Sequence, residues 1–182
     1  MKNRHKQNKK GLGFEWIIVY LHYYFSLKTR LALSEIIIPV IMSIICSFIY
    51  GISGKAEKGL DVLSGLLPSI IAILIGFSVM ILTILTTNDN NKLNNNMTEI
   101  KVQDKVISYH QLILIRSTHV LFNEIILLLV VFVYLYFHGL DWLNTIWNCI
   151  FLAIDAYFII NILVSIFNSV VTIYCAYFDK KE

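Results

Sequence analysis

The sequence predicts an all-α integral membrane protein with four transmembrane helices, and three observations carry the prediction. Hydrophobic residues make up 57% of the 182, charged residues only 15%, and the mean hydropathy is +0.69. A chain this short cannot turn so many apolar side chains inward in one globule, so they are expected to face lipid. The apolar residues fall into four long runs separated by polar punctuation. Lys and Arg, finally, lie almost entirely on one of the two sides that those runs define.

Residues 1–33 read as a basic tail followed by an interfacial aromatic helix. Lys2, Arg4, Lys6, Lys9 and Lys10 would hold the tail near an anionic leaflet. Residues 14–30 are too short and too polar at both ends to span. Phe14, Trp16, Tyr20, Tyr23, Tyr24 and Phe25 either sit at the headgroup level or pack against the other helices. The basic start resembles that of a signal peptide, but no small-x-small site follows, so no cleavage is expected.

The domain 34–178 holds the spans. The first, 34–53, begins with Ser34 as a potential cap and Glu35 at the positive end of the helix dipole. Pro39 lies early, and Ser43, Ser47 and Gly51 recur every four residues. The second, 62–87, belongs to an uncharged run bounded by Asp61 and Asp89. As a helix that run reaches roughly 40 Å, against a hydrocarbon core of about 30 Å. Gly65, Ser69, Ala72 and Gly76 place small side chains on one face, as helices that pack closely in lipid do. It reads as the central packing helix, paired with the Ser43/Ser47/Gly51 seam across a short link.

Residues 88–117 read as a long cytoplasmic helical hairpin. An Asn-rich turn is followed by a helix that starts near Thr98 and runs unbroken into the third span, 118–138. That span is rich in Leu, Val and Phe, and the expectation is that most of it faces lipid. The fourth apolar region, 142–178, is longer than one crossing needs, and Asp155 divides it. A span over 156–177 puts Asp155 at the outer boundary, with Trp142 and Trp147 along the interface; a span starting near 145 puts it at the midplane. The first frame is preferred. Asn161, Ser165, Asn168 and Thr172 then form one polar stripe, and 179–182 is a charged tail.

Orientation follows from counting Lys and Arg. Thirteen lie in the N-terminal arm, the 88–117 segment and the tail, against Lys55 and Lys58 on the opposite side. Both termini and the hairpin are therefore expected in the cytoplasm, in a multi-pass protein of a bacterial plasma membrane.

No enzyme signature is present: the histidines lack metalloprotease spacing, and no phosphate-cradling Gly-rich loop occurs. Cys46, Cys149 and Cys175 are widely separated within apolar runs and read as small core residues, so neither a metal nor a cofactor is expected. A formal charge of +3 is too small to suggest sequence-specific nucleic-acid binding. The candidate intramembrane polar site is Glu124 with its neighbour Asn123, together with Asn161, Asn168 and Asp155. An ionisable group inside a span costs a few kcal/mol unless it faces protein or water. Glu124 is thus an ion or proton site or a subunit contact, or else it is satisfied by the Asn168/Thr172 stripe. His119 and His138 read as interfacial. Lys101 and Lys105, on the projecting stretch, are the residues expected to face a partner.

The stretch IAILIGFSVMILTILTTNDNNKL, residues 71–93, is an apolar Gly-Phe-Ser helix running into a Thr/Asn-rich hairpin. It resembles small four-helix bacterial membrane proteins of antiphage defence loci, such as the membrane subunit of the Kiwa system and retron-associated membrane effectors. The resemblance implies an inner-membrane protein whose cytoplasmic portion meets a soluble partner, and it carries no functional residues across. The expectation is a non-enzymatic homo-oligomer in the bilayer that works through such a partner. The alternative is a small oligomeric channel or transporter for ions or protons.

Overall fold

The computed structural model describes residues 21–23, 33–87, 97–102 and 105–178. The basic tail, most of the expected interfacial helix, the Asn-rich turn 88–96 and the tail 179–182 lie outside the described residues. Four helices follow one another up and down: α1 (Ile38–Ile52), entered through a wider π-helical turn Leu33–Ile37; α2 (Ala56–Thr87); α3 (Tyr109–His138); and α4 (Thr145–Phe178). Two strands, β1 (Met97–Val102) and β2 (Lys105–Ser108), pair antiparallel immediately before α3. Four segments are long and apolar enough to cross a membrane: Ser34–Ile52, Ala56–Thr87, Tyr109–His138 and Thr145–Tyr174. By helix length and composition the chain is a multi-pass membrane protein.

Local chemistry sets each boundary. α1 ends where Gly54 takes φ +64, the left-handed conformation that suits glycine. The Gly54 amide donates to the Gly51 carbonyl at 3.1 Å and the Lys55 amide to that of Tyr50 at 3.0 Å, which satisfies the last turn of the helix. α3 opens on a reciprocal cap: Ser108 Oγ accepts from the Gln111 amide at 3.2 Å, and Gln111 Oε1 accepts from the Ser108 amide at 3.1 Å. At the start of α4, Asn144 Oδ1 accepts from the amides of Ile146 and Trp147, both at 3.1 Å.

Those caps correct two expectations. The helix does not begin near Thr98 and project as a helical hairpin, because 97–102 and 105–108 are paired strands and α3 starts at Tyr109. Thr98 has Lys101 three residues on, whereas Ser108 has Gln111, and only the second pair can close a capping box. Asp155 ends no helix either. α4 runs without a break from Thr145, and Asp155 lies ten residues inside it, about 15 Å from its start.

Packing corrects three more. α4 touches all three other helices, and α1 rests on α4 with little contact to α2. The hub is therefore α4, not α2. The Ser43/Ser47/Gly51 seam does pack closely, but onto α4: Ser47 Oγ donates to the Cys149 carbonyl at 2.7 Å. Gly65, Ser69, Ala72 and Gly76 lie on the outside of α2, and among the described residues nothing stands within 4 Å of a Cβ built on Gly65 or Gly76. The buried face of α2 is Leu60, Ser64, Leu67 and Ile71, one position out of phase with the small-residue stripe. α3, expected to face lipid, has a long buried stripe: Ile113, Arg116, Val120, Asn123, Leu127, Val131 and Tyr134 repeat at three- and four-residue spacing. Large side chains interdigitate there, so the absence of Gly or Ala did not mean exposure. The central core joins Leu67 and Ile71 of α2, Val120, Leu127 and Val131 of α3, and Ile162 of α4.

The α1–α4 contact makes a direct prediction. A Cβ at Gly51 would stand 3.0 Å from Cys149 Sγ, so Gly51→Cys should form a disulfide with Cys149 under mild oxidation. The expected readout is a cross-linked peptide and loss of both thiols to alkylation. Two free thiols after oxidation would show that α1 does not rest on this face of α4.

Candidate functional site: a buried polar network

The site is at the end of the bundle that carries the β-hairpin, where α1 and α3 begin and α4 finishes. Glu35, in the π-helical turn, is wholly buried and points at Arg116 of α3, which is 1% exposed. Arg116 Nη2 lies 3.7 Å from Glu35 Oε1. The same oxygen accepts from Asn168 Nδ2 at 2.6 Å. Arg116 Nη1 donates to Thr172 Oγ1 at 2.6 Å and to the Asn168 carbonyl at 3.2 Å. The Tyr23 hydroxyl donates to Glu35 Oε2 and stands 3.5 Å from Ser165 Oγ. Burial, and then the Glu35 carboxylate beside it, raise the Tyr23 hydroxyl above its ordinary value, so it remains a donor.

Pro39 explains the next link. In an α-helix the amide of residue 39 would close onto the carbonyl of residue 35, but proline has no amide hydrogen. Asn161 Nδ2 donates to that Glu35 carbonyl at 2.6 Å, and Asn161 Oδ1 accepts from Asn123 Nδ2 at 2.7 Å. The Asn123 amide nitrogen is 3.4 Å from His119 Nε2, and the His119 ring stacks on Tyr23 at 3.5 Å between centroids. One connected set of polar groups thus joins Tyr23, and the π-helical turn that leads into α1, to α3 and α4. It satisfies a charge pair that hydrocarbon alone could not hold.

Two further acids stand outside this set. Glu124 is fully buried, and its Oε1 accepts from Ser78 Oγ of α2 at 3.0 Å. Its expected contact with the Asn168/Thr172 stripe is not made, because those residues serve Glu35 and Arg116. Asp155 is buried on the opposite half of α4. Asp155 Oδ1, Asn148 Oδ1 and Glu124 Oε2 have no hydrogen-bond partner among the described residues. Near that end, the Tyr134 hydroxyl donates to Asp61 Oδ1 at 3.1 Å, and His138 Nε2 lies 3.7 Å from the same oxygen.

Asn123, Asn161 and Asn168 therefore meet in one network, whereas Glu124 and Asp155 do not join it. Lys101 and Lys105 fall on β1 and β2. Glu35, Arg116, Tyr23 and His119 were not among the candidate site residues. A signal was available: Glu35 and Arg116 are single opposite charges near the same end of their spans, each of which would be costly alone. His119, expected at the interface, is instead 2% exposed inside the bundle.

Removing one partner of a buried pair leaves an uncompensated charge. Glu35→Ala and Arg116→Ala should each destabilise the bundle by about 3–5 kcal/mol in denaturation from mixed micelles. The double variant should lose less than the sum, because the two groups serve one another. Strict additivity in that cycle would mean that the charges do not act on each other.

Comparison of the chain with protein-family models, with curated proteins and with solved structures finds no match, so the geometry of the network and its surroundings carries the functional argument.

Proposed function

We propose that this chain is a non-enzymatic protein of the bacterial inner membrane that acts by self-association and by engaging a soluble cytoplasmic partner, as a membrane component of antiphage defence would. The observation that supports this reading is the Glu35–Arg116 network. It links the basic segment before α1 and the start of α3, directly after the β-hairpin, to one buried point. A displacement of the helices within the bilayer would be felt by both polar segments, and a partner held there would sense it.

The charge distribution supports the orientation. Arg116 is buried, and leaving it out of the thirteen still gives twelve Lys and Arg against two, with both termini and the β-hairpin in the cytoplasm. The Gly65, Ser69, Ala72 and Gly76 face of α2, which no helix among the described residues covers, is the surface for a second copy.

A second reading, a small oligomeric channel or transporter for ions or protons, is favoured by Glu124 and Asp155. Each is a buried carboxylate with an oxygen that lacks a partner among the described residues.

Reporter fusions after residues 95 and 182 should read cytoplasm, and one after residue 57 the outside. Lys101→Glu with Lys105→Glu should reduce capture of the cytoplasmic partner by about tenfold. In proteoliposomes, Glu124→Gln and Asp155→Asn should leave ion and proton flux at the background of empty vesicles, as the wild type does. Wild-type flux that Glu124→Gln abolishes, with partner capture untouched by the lysine variant, would replace the first reading by the second.

A further inference from the structure

A cavity of about 250 Å³ lies between α2, α3 and α4. Its polar lining is Glu124, Ser78, Ser117 and Ser169, and the rest is apolar. Phe77 and Val170, 55% and 60% exposed, line it where it meets the outside of the bundle, so its mouth opens sideways between α2 and α4. Glu124 uses Oε1 to accept from Ser78, and its Oε2 has no partner among the described residues.

We propose that this cavity binds a small hydrophobic amine, whose ammonium donates to Glu124 Oε2 while an alkyl or aryl body fills the apolar remainder. Charge comes first: among the described residues Glu124 is the one ionisable group in the lining, and a single cation on the ligand pairs with its carboxylate where solvent is excluded. Depth comes second. Glu124 stands midway along α3, a helix about 45 Å long. A hydrocarbon core of about 30 Å centred on that helix puts it about 15 Å below either face, out of reach of a lipid headgroup that stays at the interface. The ligand must therefore enter from the hydrocarbon, which an amine with an apolar body can do in its neutral form, taking the proton of the Glu124 carboxyl on arrival to leave an ammonium–carboxylate pair. Donor chemistry comes third. Hard divalent cations take about six or more oxygens, several of them charged, and one carboxylate with three hydroxyls is a poor set. Among the described residues no three His, Cys, Asp or Glu side chains stand together to hold a metal. Size comes last: the volume is below the roughly 300–1,000 Å³ of drug-sized pockets, so the ligand is small. This site stands apart from the Glu35–Arg116 network and goes beyond the partner-engagement reading.

The test is saturation binding of tritiated 2-phenylethylamine to the full-length protein in phosphatidylcholine nanodiscs, with binding to empty nanodiscs subtracted. One saturable site per chain is expected. Glu124→Gln, which keeps shape and removes charge, should weaken it about tenfold or more. Ser169→Leu should do the same by filling the cavity without touching the carboxylate, and it decides the matter if Glu124→Gln fails to fold. Asp61→Asn, a charge removed elsewhere, should bind as the wild type does. Uncharged 2-phenylethanol should compete at least about tenfold less well than the unlabelled amine. No saturable component in the wild type, or undiminished binding in the folded variants at positions 124 and 169, would overturn the proposal.

Discussion

A charge in hydrocarbon must find its opposite or leave, and that constraint organises one end of this molecule. Glu35 and Arg116 belong to helices that hardly touch, so the long arginine side chain crosses the gap while Asn168 and Thr172 of α4 occupy the space between. The desolvation of two ions is offset only if their remaining donors and acceptors are also engaged. Glu35 meets that condition in full, with both carboxylate oxygens and its backbone carbonyl engaged. Arg116 nearly does, as only its Nε lacks a partner among the described residues.

The demand for partners explains why α4 is the hub. Its polar stripe Asn161, Ser165, Asn168 and Thr172 faces the charge pair. Nine residues before Asn161, Leu152 packs with Ala56, Leu60 and Tyr134. A helix that must supply hydrogen bonds at one end and close packing at the other cannot be peripheral. α1 has the simpler task of laying Pro39, Ser43 and Ser47 on α4, and its other faces remain apolar and exposed. In lipid that exposure carries no penalty, which is why one packed face suffices.

Much of this was legible in the residues, and the failures have physical causes. Four spans follow from hydropathy because backbone polar groups in lipid must close within helices. The limits of α1 and the end of α2 agree with the sequence to within four residues, α2 starts six residues before the expected 62, and the limits of α3 and α4 depend on caps. Ser108 with Gln111 and Asn144 before Thr145 were readable signals, overridden by the apparent continuity of 98–138 and by the charge of Asp155. Which face of α2 packs could not be read from small residues, since Leu and Ile interdigitate as well as Gly and Ala approach. The polar stripe of α4 was visible, but its partner was not. Pairing Asn168 with Glu35 needs a contact 133 residues apart, and no local pattern encodes it.

That separation has a consequence for biosynthesis. At about 5–20 residues per second, the ribosome needs on the order of ten seconds to pass from Glu35 to Asn168. For more than half of that interval, until Arg116 is made, Tyr23 is the one final neighbour of the carboxylate already synthesised, and Asn161 and Asn168 come last. The place of Glu35 in the opening turn lets the group rest in the hydrated headgroup layer meanwhile. α1 can reach its final depth only once α4 has arrived, so a helix made before the other three is among the last of the four to settle.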